Sequence, residues 1–263
     1  MTRLAAIVAL TLGLASPSQA TEPLPFELAV AEAHGRDAMP AGLVLRADVT
    51  VMFGGGTAVD GADFTWTADA ARTRMEAKDG SLAVFDGTTA WAEPAGNAMT
   101  RFHLLTWPYF AMLPFKLDDG GTQLEHVEPA TTRPAEGGNP LSRAKLTFGD
   151  GVGDSPDDWY ILYANDDGRL GAAAYTVTYG KTVEQAEAEP HAIVYDGFVD
   201  VPLPDGTPSG VVISTAWTFH NWSEADGVDP AVIGTATLDN LRFVPMEDGM
   251  FEAPTGAVEV EAP

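Results

Sequence analysis

The sequence predicts a mainly β protein: one antiparallel sheet of about 11–12 strands that curls around an apolar interior, with an N-terminal helix and a short helical insert. Three observations predict it. Residues 43–53 (LVLRADVTVMF) alternate, with Leu43, Leu45, Ala47, Val49, Val51 and Phe53 on one face, which is the period-two pattern of a half-buried strand. Further short strand-like runs then recur at regular spacing between turn signals. No strand–helix–strand rhythm appears, so a parallel sheet is not expected.

The elements follow in chain order. Residues 1–20 read as a secretory signal, with Arg3 as the basic region, Leu4 to Leu14 as an apolar core of eleven residues and Ser18-Gln19-Ala20 before the cleavage point Ala20/Thr21. Eleven apolar residues are too few to span ~30 Å of hydrocarbon as a helix. Residues 21–263 are then expected to form a single domain. Leu24 to His34 reads as an amphipathic helix with Leu24, Leu28 and Ala31 on one face and Gly35 as its stop. Gly54-Gly55-Gly56 ends the long strand in a turn and fits no phosphate-binding loop.

Strands are expected at 63–68, 71–77, 81–85 and 89–93, the last two joined at Asp86-Gly87. Strands resume at 121–127, 144–148, 159–164, 170–179, 191–201, 211–221 and 232–244. Residues 182–189 read as a short helix or a charged loop, and 128–139, 202–210 and 223–230 as loops.

The segment Phe102 to Leu117 (FHLLTWPYFAMLPFKL) stands apart. It holds five aromatics and only one fixed charge, Lys116. It is too short and too interrupted by Pro108 and Pro114 to cross a membrane, and too apolar all round for a surface element. It is expected to form one or two helical turns that either plug the interior or cover an apolar cavity. Pro108 disfavours a helical Trp107 and suits the first turn of a helix instead.

Composition excludes several functions. The formal charge is −24, from 38 acidic and 14 basic residues, which argues against nucleic acid and against anionic lipid surfaces as partners. There is no cysteine, hence no disulfide and no lipidated N-terminal Cys. None of the five histidines sits at a zinc-ligand spacing, although His103 and His126 are candidates to meet in space. No GxSxG elbow is present. The clusters Asp150 to Asp154, Asp157-Asp158 and Asp166-Asp167-Gly168 do not match an EF-hand and read as solvated turns. Metal, cofactor and covalent catalysis therefore have no motif behind them. Trp66, Trp91, Trp107, Trp159, Trp217 and Trp222 all fall in or beside expected strands or the insert, so the sheet carries bulky groups on both faces.

Arg72-Thr73-Arg74-Met75, then Phe85-Asp86-Gly87-Thr88-Thr89-Ala90-Trp91, then Pro94 resembles the core of the LolA-like lipoprotein-carrier superfamily. Thr106 to Phe110 (TWPYF) and Pro114 to Leu117 (PFKL) resemble uncharacterised exported members of it. The specific match covers about residues 43–117. The resemblance implies an open half-barrel with helices across an apolar concave face able to hold acyl chains, and an arginine that keeps the lid closed, for which Arg46 is the candidate here.

Taken together, the expectation is a soluble, non-catalytic periplasmic carrier for a hydrophobic ligand: a lipid acyl chain or a lipidated protein, with no stable membrane insertion. The expected lining is Trp66, Trp91, Phe102, Leu105, Trp107, Tyr109, Phe110 and Phe115. Two other classes stay open: an envelope interaction module whose core is self-filled, and a hydrolase using paired carboxylates.

Overall fold

The structure, a computed structural model, describes residues 24–133 and 136–263. The signal segment lies outside the described residues. The described residues open with helix α1 (Phe26–Ala33). Its buried residues are Phe26, Val30 and Ala31, continued by His34, while Leu24 and Leu28 are exposed. The helix is thus amphipathic on a face rotated from the expected one, because Phe26 offers more apolar area than Leu28. Gly35 ends it at φ 79°. A Cβ there would stand 1.9 Å from the Gly210 carbonyl oxygen, so only glycine fits.

Strands β1 (Leu43–Phe53) and β2 (Gly56–Trp66) form a long hairpin. Gly54 and Gly55 both take positive φ, the backbone that a tight two-residue hairpin turn demands. β2 begins seven residues earlier than expected, since its first half, rich in Gly and Ala, lacks a clear apolar alternation. The meander continues through β3 (Thr73–Glu76), β4 (Leu82–Phe85) and β5 (Ala90–Glu93). After helix α2 (Ala98–Met112) come β6 (Thr122–Ala130), β7 (Leu141–Phe148), β8 (Trp159–Ala164) and β9 (Leu170–Tyr175). Helix α3 (Val183–Glu187) precedes β10 (His191–Pro202) and β11 (Pro208–Ser223). The chain closes with β12 (Gly227–Val228), β13 (Gly234–Pro245) and β14 (Val258–Val260).

Among the described residues fourteen strands are present rather than about twelve. The two not expected, β12 and β14, are two and three residues long, too short for any alternation to register.

All are antiparallel, in the order β14-β5-β4-β3-β2-β1-β13-β11-β10-β9-β8-β7-β6, with β12 branching from β11. The path does not close, so β14 and β6 are its edges. One meander runs outward from β1 to β5. A second starts at the far edge with β6 and works inward to β11, and β13 zips the two together. Helix α2 joins β5 to β6 and so has to cross the whole sheet.

That crossing bends the sheet. Leu104 of α2 packs among Ala83, Ala90, Ala92 and Val260, on β4, β5 and β14. Phe110 packs at 5.0 Å from the Tyr175 ring of β9. Six helical residues advance about 9 Å, whereas β5 and β9 would lie about 38 Å apart in a flat sheet at ~4.8 Å per strand. Only a strongly curved sheet brings both to one helix. This is the half-barrel that the resemblance implies.

The inner face carries the main core, including Leu45, Phe64, Trp66, Trp217, Phe219 and Phe243. The outer face has covers of its own: β12 over Tyr163 and Trp222, and Met250 and Phe251 over Val44 and Val84. These small outer clusters explain the bulky groups on both faces.

Candidate functional site

Helix α2 corrects the expectation of one or two turns: it runs for 15 residues. Asn97 starts it with a capping box, its side chain accepting from the Met99 and Thr100 amides while Thr100 returns a bond to the Asn97 amide. Pro108 lies inside the helix and Trp107 stays helical. Proline normally disrupts an interior position. Here the burial of Leu104, Trp107, Phe110, Ala111 and Met112 outweighs it. Pro114 then deprives the Phe110 carbonyl of its helical donor, and the buried Tyr195 hydroxyl donates to that carbonyl instead, at 3.1 Å.

Two stripes run along α2. Leu104, Trp107, Pro108 and Ala111 are buried, spaced i, i+3, i+4, i+7. Phe102, Leu105, Thr106 and Tyr109, at the same spacing, border a cavity of about 400 Å³. This volume is within the range of small-molecule sites, ~300–1,000 Å³. Its far wall comes from Phe85 of β4, Phe148 of β7, Tyr160 of β8, and Val177 and Tyr179 beyond β9. The cavity is open to solvent on one side. A single helix therefore both plugs and covers, one stripe for each task.

The expected lining divides accordingly. Phe102, Leu105, Tyr109 and Phe110 are on the wall. Trp66 sits in the solid core, 1% exposed. Trp107 is also in the core, with its indole donating to His103 Nδ1 at 3.1 Å and its ring 6.2 Å from Phe219. Trp91 projects from the outer face and donates to Asp86 at 3.0 Å. Phe115 packs edge-on against His34 at 5.9 Å. Arg46 is no lid residue: it pairs with Asp63 on the outer face. His103 stacks on Trp107 and His126 packs on Phe26, so the two histidines serve different contacts.

Sequence reasoning missed Tyr160, Phe148, Val177, Tyr179 and Asp158 as wall residues. Alternation marks Phe148 and Tyr160 as inward-facing, but nothing local separates an inward residue over a void from one over a packed core.

The polar part of the wall is acidic: Asp119, Asp154 and Asp158, with Lys116 the one basic lining residue. Lys116 is occupied, donating to the Asp69 carbonyl at 2.7 Å and pairing with Asp119. Asp154 is held by Arg101 through two bonds of 2.5 and 2.9 Å, and the Arg101 guanidinium lies 5.2 Å over the Phe85 ring. This pair joins the start of α2 to the β7–β8 loop at the rim. Asp158 Oδ1 accepts from the Thr178 amide and hydroxyl at 2.6 and 2.8 Å. Burial still pushes its carboxyl up to about 6. The Tyr109 hydroxyl is buried and lacks a hydrogen-bond partner among the described residues. Burial raises its pKa, with Asp119 and Asp158 adding to the shift. Among the described residues no group of three or more His, Asp or Glu side chains is placed to hold a metal ion. The site's chemistry is apolar enclosure with an acidic rim.

No family model and no curated protein matches the chain. Among solved structures it is similar to a Vibrio parahaemolyticus domain described as an outer membrane lipoprotein-sorting protein, at 10% identity over 86% of this chain and 95% of that one, with a TM-score of 0.48. It is also similar to a DUF1329 family protein from Desulfovibrio piger, at 12% identity over 86% and 95%, with a TM-score of 0.47.

Proposed function

We propose that this protein is a non-catalytic, exported, periplasmic carrier that holds an acyl chain, of a lipid or a lipidated protein, in the cavity beside α2. The observation that carries this reading is the second apolar stripe of the helix, which faces about 400 Å³ of space left unfilled by side chains. Each methylene moved from water into such a space gains ~0.8 kcal/mol. About ten of them gain on the order of 8 kcal/mol, part of which is offset by ordering the chain and losing its free motion. No helix of the described residues is long and apolar enough to cross a membrane.

The test is to purify the protein from its native envelope, extract it with organic solvent and analyse the extract by mass spectrometry. Near-stoichiometric acyl lipid is expected, and the variant Thr106→Phe, which places a ring in the cavity, should release it. A lipid-free extract, together with no change in tryptophan fluorescence when dodecanol is titrated in, would reject the carrier and leave the interaction module.

One observation favours a hydrolase as a second reading: Asp158 in the cavity, with its carboxyl raised to about 6, the range of a general acid or base. Turnover of a soluble ester or glycoside that Asp158→Asn abolishes would establish it.

A further inference from the structure

The polar end of the cavity is built for a particular kind of head group. β6, β7, β8 and β9 present one common end to it. Register aligns Thr122 with Phe148 and Tyr160 with Tyr175. One step outward on the inner face, Phe148, Asp158 and Val177 line the same wall. A carboxylate thus interrupts an otherwise apolar row. Asp119, Asp154 and Ser155 complete the rim.

The nearby cations are already engaged, Lys116 by Asp69 and Asp119 and Arg101 by Asp154. Asp158 spends one oxygen on Thr178 and keeps Oδ2 without a hydrogen-bond partner among the described residues. The Tyr109 ring borders the same wall, while its hydroxyl is closed off from the cavity. An anionic head would meet three carboxylates and, among the described residues, no unpaired cation, whereas a donor head would find a free acceptor in Asp158 Oδ2.

Resting on the carrier reading, we infer that the cavity selects single-chain amphiphiles whose head is a hydrogen-bond donor, cationic amine above neutral alcohol, and rejects free carboxylates, with Asp158 as the selecting residue. Fatty acids are thereby poor ligands despite their fitting tail.

The experiment titrates dodecylamine, dodecanol and dodecanoate, each below its micelle concentration at pH 8, into the full protein and reads tryptophan fluorescence and calorimetric heat. The amine is expected to bind at least about tenfold more tightly than the carboxylate, the worth of one charge-assisted hydrogen bond. Asp158→Asn keeps the acceptor for Thr178 and should lower amine affinity about tenfold while changing alcohol affinity little. Asp205→Asn, an exposed acid far along the chain, should change nothing, which separates the site from general attraction to an acidic surface. Dodecanoate binding as tightly as the amine, or an amine preference untouched by Asp158→Asn, overturns the selectivity and leaves the carrier standing. Binding of none of the three overturns both.

Discussion

The two stripes of α2 face one continuous sheet and meet opposite interiors. Beneath Trp107 and Ala111 the space is filled by Trp66, Trp217 and Phe219, each nearly inaccessible. Beneath Phe102, Leu105 and Tyr109 the wall of Phe148 and Tyr160 stands back and leaves a cavity. The residue types are alike on the two sides. What differs is the strands opposite. The packed side faces the β1–β2–β13–β11 seam, whose inward residues include Leu45, Val49, Phe64, Trp66, Leu238 and Phe243. The hollow side faces Phe148 of β7, Tyr160 of β8 and the segment just beyond β9, and the helix is tied to the rim by the Arg101–Asp154 pair. A helix pinned at its end, over rings that close only part of the gap beneath it, leaves space.

This contrast is open to attack by truncation. Trp217→Ala, on the packed side, should cost about 3–5 kcal/mol, read as a shift in the urea midpoint. If Trp217→Ala costs no more than Leu105→Ala, the two interiors are not different. Asp158→Asn tests the hollow side from the other direction. The Asp158 pKa is raised from 3.8 to about 6 on folding, so the folded state binds the proton more tightly. This group's effect therefore improves as pH falls from about 6 towards 4, and its carboxylate burdens the fold at neutral pH. At pH 7.5 the substitution should stabilise by roughly 2 kcal/mol, and the gain should fade on acidification to pH 4.

Two smaller effects sharpen the comparison. Tyr109→Phe removes a buried hydroxyl that has no partner among the described residues and should raise the stability of the ligand-free protein by about 1 kcal/mol, the opposite sign from an ordinary core tyrosine. Leu105→Ala should cost under about 1 kcal/mol, because the space beside it is already empty, yet weaken dodecanol binding measurably. A large loss of stability there would mean that Leu105 is core.

His34 gives a further acid response with the reverse sign to Asp158. Its ring is bonded to the Val212 carbonyl at 2.7 Å and accepts from the Leu170 amide at 3.0 Å, and burial lowers its pKa to about 4. The unfolded chain takes up this proton below pH 6.5 while the folded chain refuses it, so stability falls from pH 6.5 to 4. His34→Gln should flatten that slope in pH-dependent urea melts.

Much of the architecture is legible in the chain. The eleven-residue strand 43–53 and the hairpin at Asp86-Gly87 fall where alternation and turn residues put them, because strand period and glycine conformation are properties of a few adjacent residues. The aromatic segment is legible as interior, since no surface tolerates five rings in sixteen residues. The extent of α2 is not, because Pro108 argues locally against it and only burial against the sheet overrides that. Nor are β12 and β14, which exist through their partners.

The sequence by itself determined which segments leave water and in what periodicity, since hydrophobic transfer and backbone sterics act on neighbouring residues. Tertiary structure alone decided which inward residues meet a neighbour and which meet a void. That depends on how far a curved sheet stands from the helix crossing it, which no stretch of neighbouring residues encodes and to which a rim ion pair and strands a hundred residues away contribute.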